Sequence, residues 1–252
     1  MTNKKKPVWI NRSNATNNTA SKKKIFIGTP AYEGKVYVHY AMMLLDMQKI
    51  FEQAGFEVLI RLPVGGSLLV ADRNRLVEMF WESGADYMLC IDSDLSFDPN
   101  YITRLIHFME NTEKDFGGGV YPSRDGKGFN FRPNLEEDGK IVQCEQTGLL
   151  KMDYIPAGCM VFSRSMIEKM REHFPELYYE PRDKRNLSEN AYCFFDTEIW
   201  NGEFWGEDYV FCRRIREAGF DIWVDPTIHF NHAGIEGKLI DTLTDKRELS
   251  EQ

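Results

Sequence analysis

The sequence predicts one α/β domain, a Rossmann-like sandwich whose central, mostly parallel mixed sheet is flanked by helices. Three observations lead there. Short apolar runs alternate with helix-length amphipathic segments over residues 25–110. Two of those runs, Ile25-Phe26-Ile27 and Tyr87-Met88-Leu89-Cys90-Ile91, are apolar throughout, as parallel strands covered on both faces require. Gly or Pro stands at most of the joins between them.

Taken in order, Ile25 to Gly28 reads as a buried strand that Thr29-Pro30 closes. A helix over 36–54 follows, with Ala41, Leu44, Met47, Phe51 and Ala54 as its expected inner face and Gly55 as its stop. Glu57 to Leu62 is a second strand, ended by Pro63 and Gly65-Gly66. Residues 68–83 form a second helix around Leu76, Val77 and Phe80, and 87–91 a third strand. Asp98-Pro99 supplies a cap and a first-turn proline for a helix over 99–110. Beyond Gly117-Gly118-Gly119 the pattern changes to a polar, Gly-containing stretch of hairpins reaching about residue 153. A strand near 159–163, a helix over 164–173, an irregular insert over 175–205, a helix over 207–218 and a strand over 222–224 complete the reading. No repeat or Pro/Ser linker interrupts it, so both halves are expected to share one sheet.

The charge is divided unevenly. Residues 1–24 carry seven Lys or Arg and no carboxylate, so the overall −8 leaves −15 on the rest. An acidic body of this kind excludes a nucleic-acid-gripping core, which needs a clustered basic face. Residues 1–23 are of low complexity and are expected to be a disordered basic tail, either solubilising or in contact with an anionic membrane or polymer. Residues 239–252 are expected to be a second tail. No apolar run is long enough for a transmembrane segment, and the basic start lacks the apolar stretch of a secretory signal. Five cysteines without a CxxC pair read as free thiols, which together with the missing leader points to a cytoplasmic protein. Asn-x-Ser/Thr triplets at Asn11, Asn14, Asn17 and Asn186 reflect Asn-rich composition under that reading.

Three polar groups carry the chemistry. The third strand ends in Asp92-Ser93-Asp94, and strand geometry would set the two carboxylates on one face, beyond the carboxyl end where α/β sheets bind ligands. Hard carboxylate oxygens there suit a divalent cation; the competing reading is an Asp-rich turn before the next helix. Glu207-Asp208 opens a helix, where the dipole favours acids on structural grounds alone, and where a general base would be weakened by the same dipole. His232 follows the last strand, with His229 as an alternative; an imidazole beside carboxylates suits Mn²⁺ better than Mg²⁺.

In this order the three groups resemble those of the GT-A-fold, DxD-containing, metal-dependent nucleotide-sugar glycosyltransferases. The likeness covers about Ile25 to Gly234. It rests on Asp92-Ser93-Asp94, on Trp205-Gly206-Glu207-Asp208-Tyr209, and on His232, supported by Thr29-Pro30-Ala31-Tyr32, Asp72-Arg73-Asn74 and Ala157-Gly158-Cys159-Met160-Val161. The resemblance implies a GT-A domain over 24–238, with a nucleotide-binding half at 24–124 and an acceptor-binding half at 125–238. It implies that Asp94 and His232 ligate Mn²⁺ (or Mg²⁺), with Asp92 on the ribose or reaching the metal through water, and Ser93 beside it. Thr29, Pro30, Ala31 and Tyr32 would wall the nucleotide and Arg73 would approach the donor phosphates or sugar. Gly158, Trp205 and Glu207 would contact substrate, and Asp208 would be the general base. The implied reaction moves a sugar from a UDP- or GDP-linked donor to a saccharide or glycan hydroxyl, with inversion. A retaining enzyme of the same fold, a metal-dependent phosphohydrolase and a non-catalytic saccharide-binding module are the alternatives. Eight of the 28 residues from Tyr178 to Trp205 are aromatic, against 13% of the chain, so this insert is expected either to stack on sugar faces or to form a local packing cluster.

Overall fold

A computed structural model describes residues 22–180 and 190–244. The tail expected over 1–23 therefore lies outside the described residues except for Lys22 and Lys23, as do 181–189 with Asn186, and 245–252.

The elements follow the predicted alternation. Strand β1 (Lys24–Gly28), helix α1 (Val38–Gln53), β2 (Glu57–Arg61), α2 (Leu69–Ser83) and β3 (Tyr87–Ile91) lead through the short β4 (Leu95–Ser96) into α3 (Asn100–Asn111). Then come β5 (Phe116–Gly118), β6 (Arg132–Pro133), β7 (Leu150–Tyr154), β8 (Cys159–Ser163), α4 (Arg164–His173) and a 3-10 turn (Pro175–Leu177). The hairpin β9 (Glu198–Trp200) and β10 (Glu203–Trp205) precedes α5 (Glu207–Glu217). Last are β11 (Ile222–Val224), β12 (Phe230–His232), β13 (Ile235–Gly237) and α6 (Leu239–Thr244).

Eight strands form the main sheet in the order β2-β1-β3-β8-β5-β11-β7-β6. β1 pairs parallel with β2 and β3, and β11 parallel with β5. Only β8 and β7 oppose the common direction, so the sheet is mixed but mostly parallel, as expected. Both faces are covered, which is why its central strands are apolar at every position. Phe26, Met88, Cys90, Met160 and Phe162 point to the side that carries α2, α4 and α5. Their neighbours Ile25, Ile27, Leu89, Ile91, Cys159 and Val161 point to the side of α1 and α3.

Three expectations are corrected. The buried stripe of α1 is Tyr40, Met43, Met47 and Phe51, while Ala54 is exposed. Apolar residues nearly encircle this helix at 41–45, so periodicity alone could not fix its phase. The insert is not wholly irregular, since it contains the β9–β10 hairpin. Ordered chain also runs past residue 238 into α6, where Leu239 is buried. No helix among the described residues is long and apolar enough to cross a membrane.

Candidate functional site

A cleft of about 850 Å³ opens beyond the carboxyl ends of β1 and β3. Pro30, Tyr32, Tyr37, Gly66, Asp72 and Ser93 are among its lining residues. Tyr32 offers a 61% exposed ring at the rim. Thr29 and Ala31 behave otherwise. Thr29 is fully buried and its hydroxyl is bonded to Tyr40 Oη at 2.6 Å, so it supports the wall from behind. The opposite lip passes over Asp72 so closely that a Cβ at Gly66 would meet its carboxylate at 1.7 Å. Burial holds the Asp72 carboxyl above its usual range.

From Asp72 at the cleft wall, Arg73 and Asn74 continue inward, all three buried in the first part of α2. The Asn74 amide bonds both backbone groups of Phe195 at 2.8 Å, which fastens the aromatic insert to the helix. Arg73 is 3% exposed and does not face the cleft as a phosphate ligand would. Its guanidinium donates to Asp92 at 2.9 Å and to Glu207 at 3.3 Å, with further contacts to Cys90 Sγ at 3.3 Å and the Ala157 carbonyl at 3.4 Å. One arginine thus ties the end of β3 to the start of α5. Burial works against its charge, but Asp92, Cys90 and Glu207 outweigh this and raise its pKa.

Asp92 and Asp94 do not share a face. The chain turns after Ile91, with Leu95 N donating to Asp92 O at 3.2 Å, so strand geometry stops before the pair begins. Asp92 turns to Arg73, and the buried Asp94 turns to His232, whose Nε2 lies 3.2 Å from Asp94 Oδ2. β12 delivers His232 by pairing with β4, His232 opposite Leu95. His229 is half exposed and sits 3.8 Å from Glu236, so it takes no part.

The donor chemistry at Asp94 fits a divalent cation, with two protein ligands rather than three. His232 Nδ1 lies 2.6 Å from the Pro122 carbonyl, an acceptor, so Nδ1–H donates to it, and Nε2 turns its lone pair outward to accept from Arg124 Nε. Carboxylate and lone pair then face each other across 3.2 Å with no proton between them. The charge that relieves this is Arg124, which donates to Asp94 Oδ2 and, from Nε, to His232 Nε2 at 3.2 Å. Asp92 instead pairs with Arg73, and among the described residues no three His, Cys, Asp or Glu side chains converge.

The second acidic group stands at the head of α5. Glu207 is partly buried against Arg73. Asp208 accepts from Tyr209 N at 2.8 Å, and its pKa is pushed up to about 6, first by burial and then by the adjacent Glu207. This reverses the expectation from the helix dipole: burial outweighs the helix N-terminus. Trp205 is half-buried and packs edge-on against Tyr154 at 5.0 Å, while Trp200 and Phe204 on the hairpin remain exposed.

Two residues escaped the sequence reading. Arg124 lies in a turn that looked merely polar. Tyr121, just after the Gly-Gly-Gly-Val run, accepts from Gly158 N at 3.1 Å and sets its ring edge-on to His232 at 5.0 Å. This explains Gly158, where a Cβ would lie 2.4 Å from Tyr121 Oη. Gly158→Ala is expected to destabilise the protein by about 1–3 kcal/mol through overpacking, measured by urea denaturation.

Protein-family comparison matches residues 74–171 to glycosyl transferase family 2. Glycosyl transfer is the reaction class of this chain. The matched segment is less than half the chain and contains Asp92, Asp94, Arg124 and Gly158. Among solved structures, A197 from STIV aligns with a TM-score of 0.50 and 13% identity, over 83% of this chain and 85% of that one. A crystal structure of GalNAc-T7 with UDP, GalNAc and Mn²⁺ aligns at a TM-score of 0.41 and 12% identity, over 84% of this chain and 44% of that one. Comparison with curated proteins finds no match. The sheet order and flanking helices of this glycosyltransferase form a GT-A-type α/β fold.

Proposed function

We propose that the enzyme transfers a sugar from a nucleoside-diphosphate donor, UDP- or GDP-linked, to a saccharide hydroxyl. The observation that carries this reading is Asp208, a carboxylate with a pKa near 6 at the head of α5, joined through Glu207 and Arg73 to the strand end beside the cleft. In this arrangement Tyr32 and Pro30 receive the nucleoside, Ser93 and Asp92 lie next to its ribose, and the diphosphate extends toward Asp94 and His232. A divalent cation held there would neutralise the charge that develops on the leaving diphosphate. The acceptor rests near Trp205, with Trp200 and Phe204 offering apolar faces to its rings.

The chemical step is a single displacement. The acceptor oxygen attacks the anomeric carbon, its proton passes to the Asp208 carboxylate, and the bond from that carbon to the diphosphate oxygen breaks with its electron pair. Asp208 must be ionised to accept. The carboxyl with a raised pKa is also the better base, so burial here serves the reaction. Activity as kcat/KM is expected to fall below about pH 6, tenfold for each pH unit, and a profile flat down to pH 4.5 would remove Asp208 from the role.

The donor is tested by thermal shift with UDP, GDP, CMP and their sugars, each with and without Mn²⁺. The expected result is stabilisation by one diphosphate series, larger with Mn²⁺. Stabilisation by none of them overturns the donor assignment. Donor consumed equally fast without any acceptor would favour a phosphohydrolase instead.

A further inference from the structure

We propose that Arg124 is an internal counter-cation that closes the Asp94–His232 seat and makes cation binding depend on the donor diphosphate. This rests on the cation and donor sites just proposed, and it concerns a residue to which nothing above gives a role in transfer.

Three observations support it. Asp94 and His232 are both nearly buried and present two acceptors to each other, an arrangement that is costly unless a positive group joins them. Arg124 is that group, and its Nη2 and Nε engage one acceptor each. Arg124 itself is not built in: its side chain is 69% exposed. It stands on a tight turn in which Gly126 N donates to Ser123 O at 3.0 Å and Ser123 N to Gly128 O at 2.7 Å. Fixed acceptors and a movable cation are the parts of a latch. Arg73 makes the contrast clear, since it binds its carboxylates from a fully enclosed position and has no exit.

The consequence follows from charge. A guanidinium and a divalent cation cannot both occupy the two acceptors, so a metal ion arriving alone must expel Arg124 into water without a new partner. A cation arriving with a diphosphate brings phosphate oxygens that the released guanidinium can grip in its usual forked manner. Metal and nucleotide therefore favour each other's binding, and by linkage the effect is reciprocal.

The test is direct binding on the full chain, measured by calorimetry with Mn²⁺ alone and with Mn²⁺ in the presence of UDP. Arg124→Gln is expected to bind Mn²⁺ alone about 10-fold more tightly than the wild type, which corresponds to a latch open roughly a tenth of the time. In the same variant the tightening of Mn²⁺ by UDP should shrink. Arg124→Lys, a point charge unable to span both acceptors, should fall between. Unchanged or weaker Mn²⁺ binding in Arg124→Gln, with binding lost in Asp94→Asn, overturns the latch and leaves the cation site standing. Mn²⁺ binding that survives Asp94→Asn undiminished instead overturns the cation site itself. If the wild type binds UDP fully without Mn²⁺ and Arg124→Gln loses it, Arg124 is a permanent substitute for the metal and the latch is wrong.

Discussion

Asp208→Asn is expected to lower kcat/KM by about 10³-fold while making the protein more stable at neutral pH. Both effects have one cause. Burial first, and then Glu207, raise this carboxyl from 3.8 to about 6, so the folded chain holds the proton more tightly than the unfolded chain does. A group shifted in this direction contributes stability below its unfolded pKa and loses it as pH rises through the folded value. Above about pH 6 the ionised Asp208 is therefore a net cost, on the order of 1–2 kcal/mol after allowing for its partial exposure. Asn keeps the shape and removes the charge. Urea denaturation of the variant should show a gain over wild type at pH 7.5 that shrinks as pH falls through 6 and disappears only below about pH 3, where Asp208 is neutral in the folded and the unfolded chain alike. Donor-dependent thermal stabilisation should persist, because the loss is in proton transfer and not in nucleotide binding. Turnover within tenfold of wild type would show that some other group takes the acceptor proton. A stability loss at pH 7.5 would show that the ionised carboxylate is a structural partner of α5.

Much of the sheet was legible because a strand buried on both faces leaves an unbroken apolar run, as in Tyr87 to Ile91. β4 and β12 left no such trace. They are two and three residues long and exist because they pair with each other, and β12 with β13, in a small separate sheet that sets His232 opposite Leu95, which no local propensity encodes. At the site, the acidic residues were visible as types, but their grouping was not. Asp92-Ser93-Asp94 reads equally well as a strand end or as a turn. The turn, with Asp92 drawn to Arg73 and Asp94 to Arg124 and His232, depends on partners far along the chain. Asp72-Arg73-Asn74 was read as a piece of the resemblance, with Arg73 turned to the donor, whereas its burial follows from Asp92, 19 residues on, and from Glu207 and backbone groups supplied more than 80 residues later. The proton affinity of Asp208 was misjudged for the same reason: the helix dipole is a local property, whereas its burial is a property of the packed insert and sheet.

The largest structural effect is expected at Arg73. Arg73→Met should cost about 3–5 kcal/mol, because it leaves Asp92 and Glu207 as acids partly buried around an apolar chain, and removing one partner of such a group costs more than the pairing itself supplies. Arg73→Lys keeps the charge but not the fork. An ammonium reaches one carboxylate or the other, so the tie between β3 and α5 should loosen while the protein still folds. Stability alone would not separate a scaffold arginine from one that positions the site, but the acid limb of the pH–rate profile does. Arg73 lowers the Asp208 pKa through its charge, opposing burial and Glu207. Without that charge the limb should move above pH 6 in Arg73→Met, and stay closer to the wild-type position in Arg73→Lys. Glu207→Gln in the Arg73→Met background removes one of the stranded carboxylates and the neighbour that raises Asp208. It should therefore recover part of the stability and bring the limb back down, a coupling that two independent sites would not show. An unmoved limb in Arg73→Met would reduce Arg73 to a packing residue and detach Asp208 from the Asp92 network.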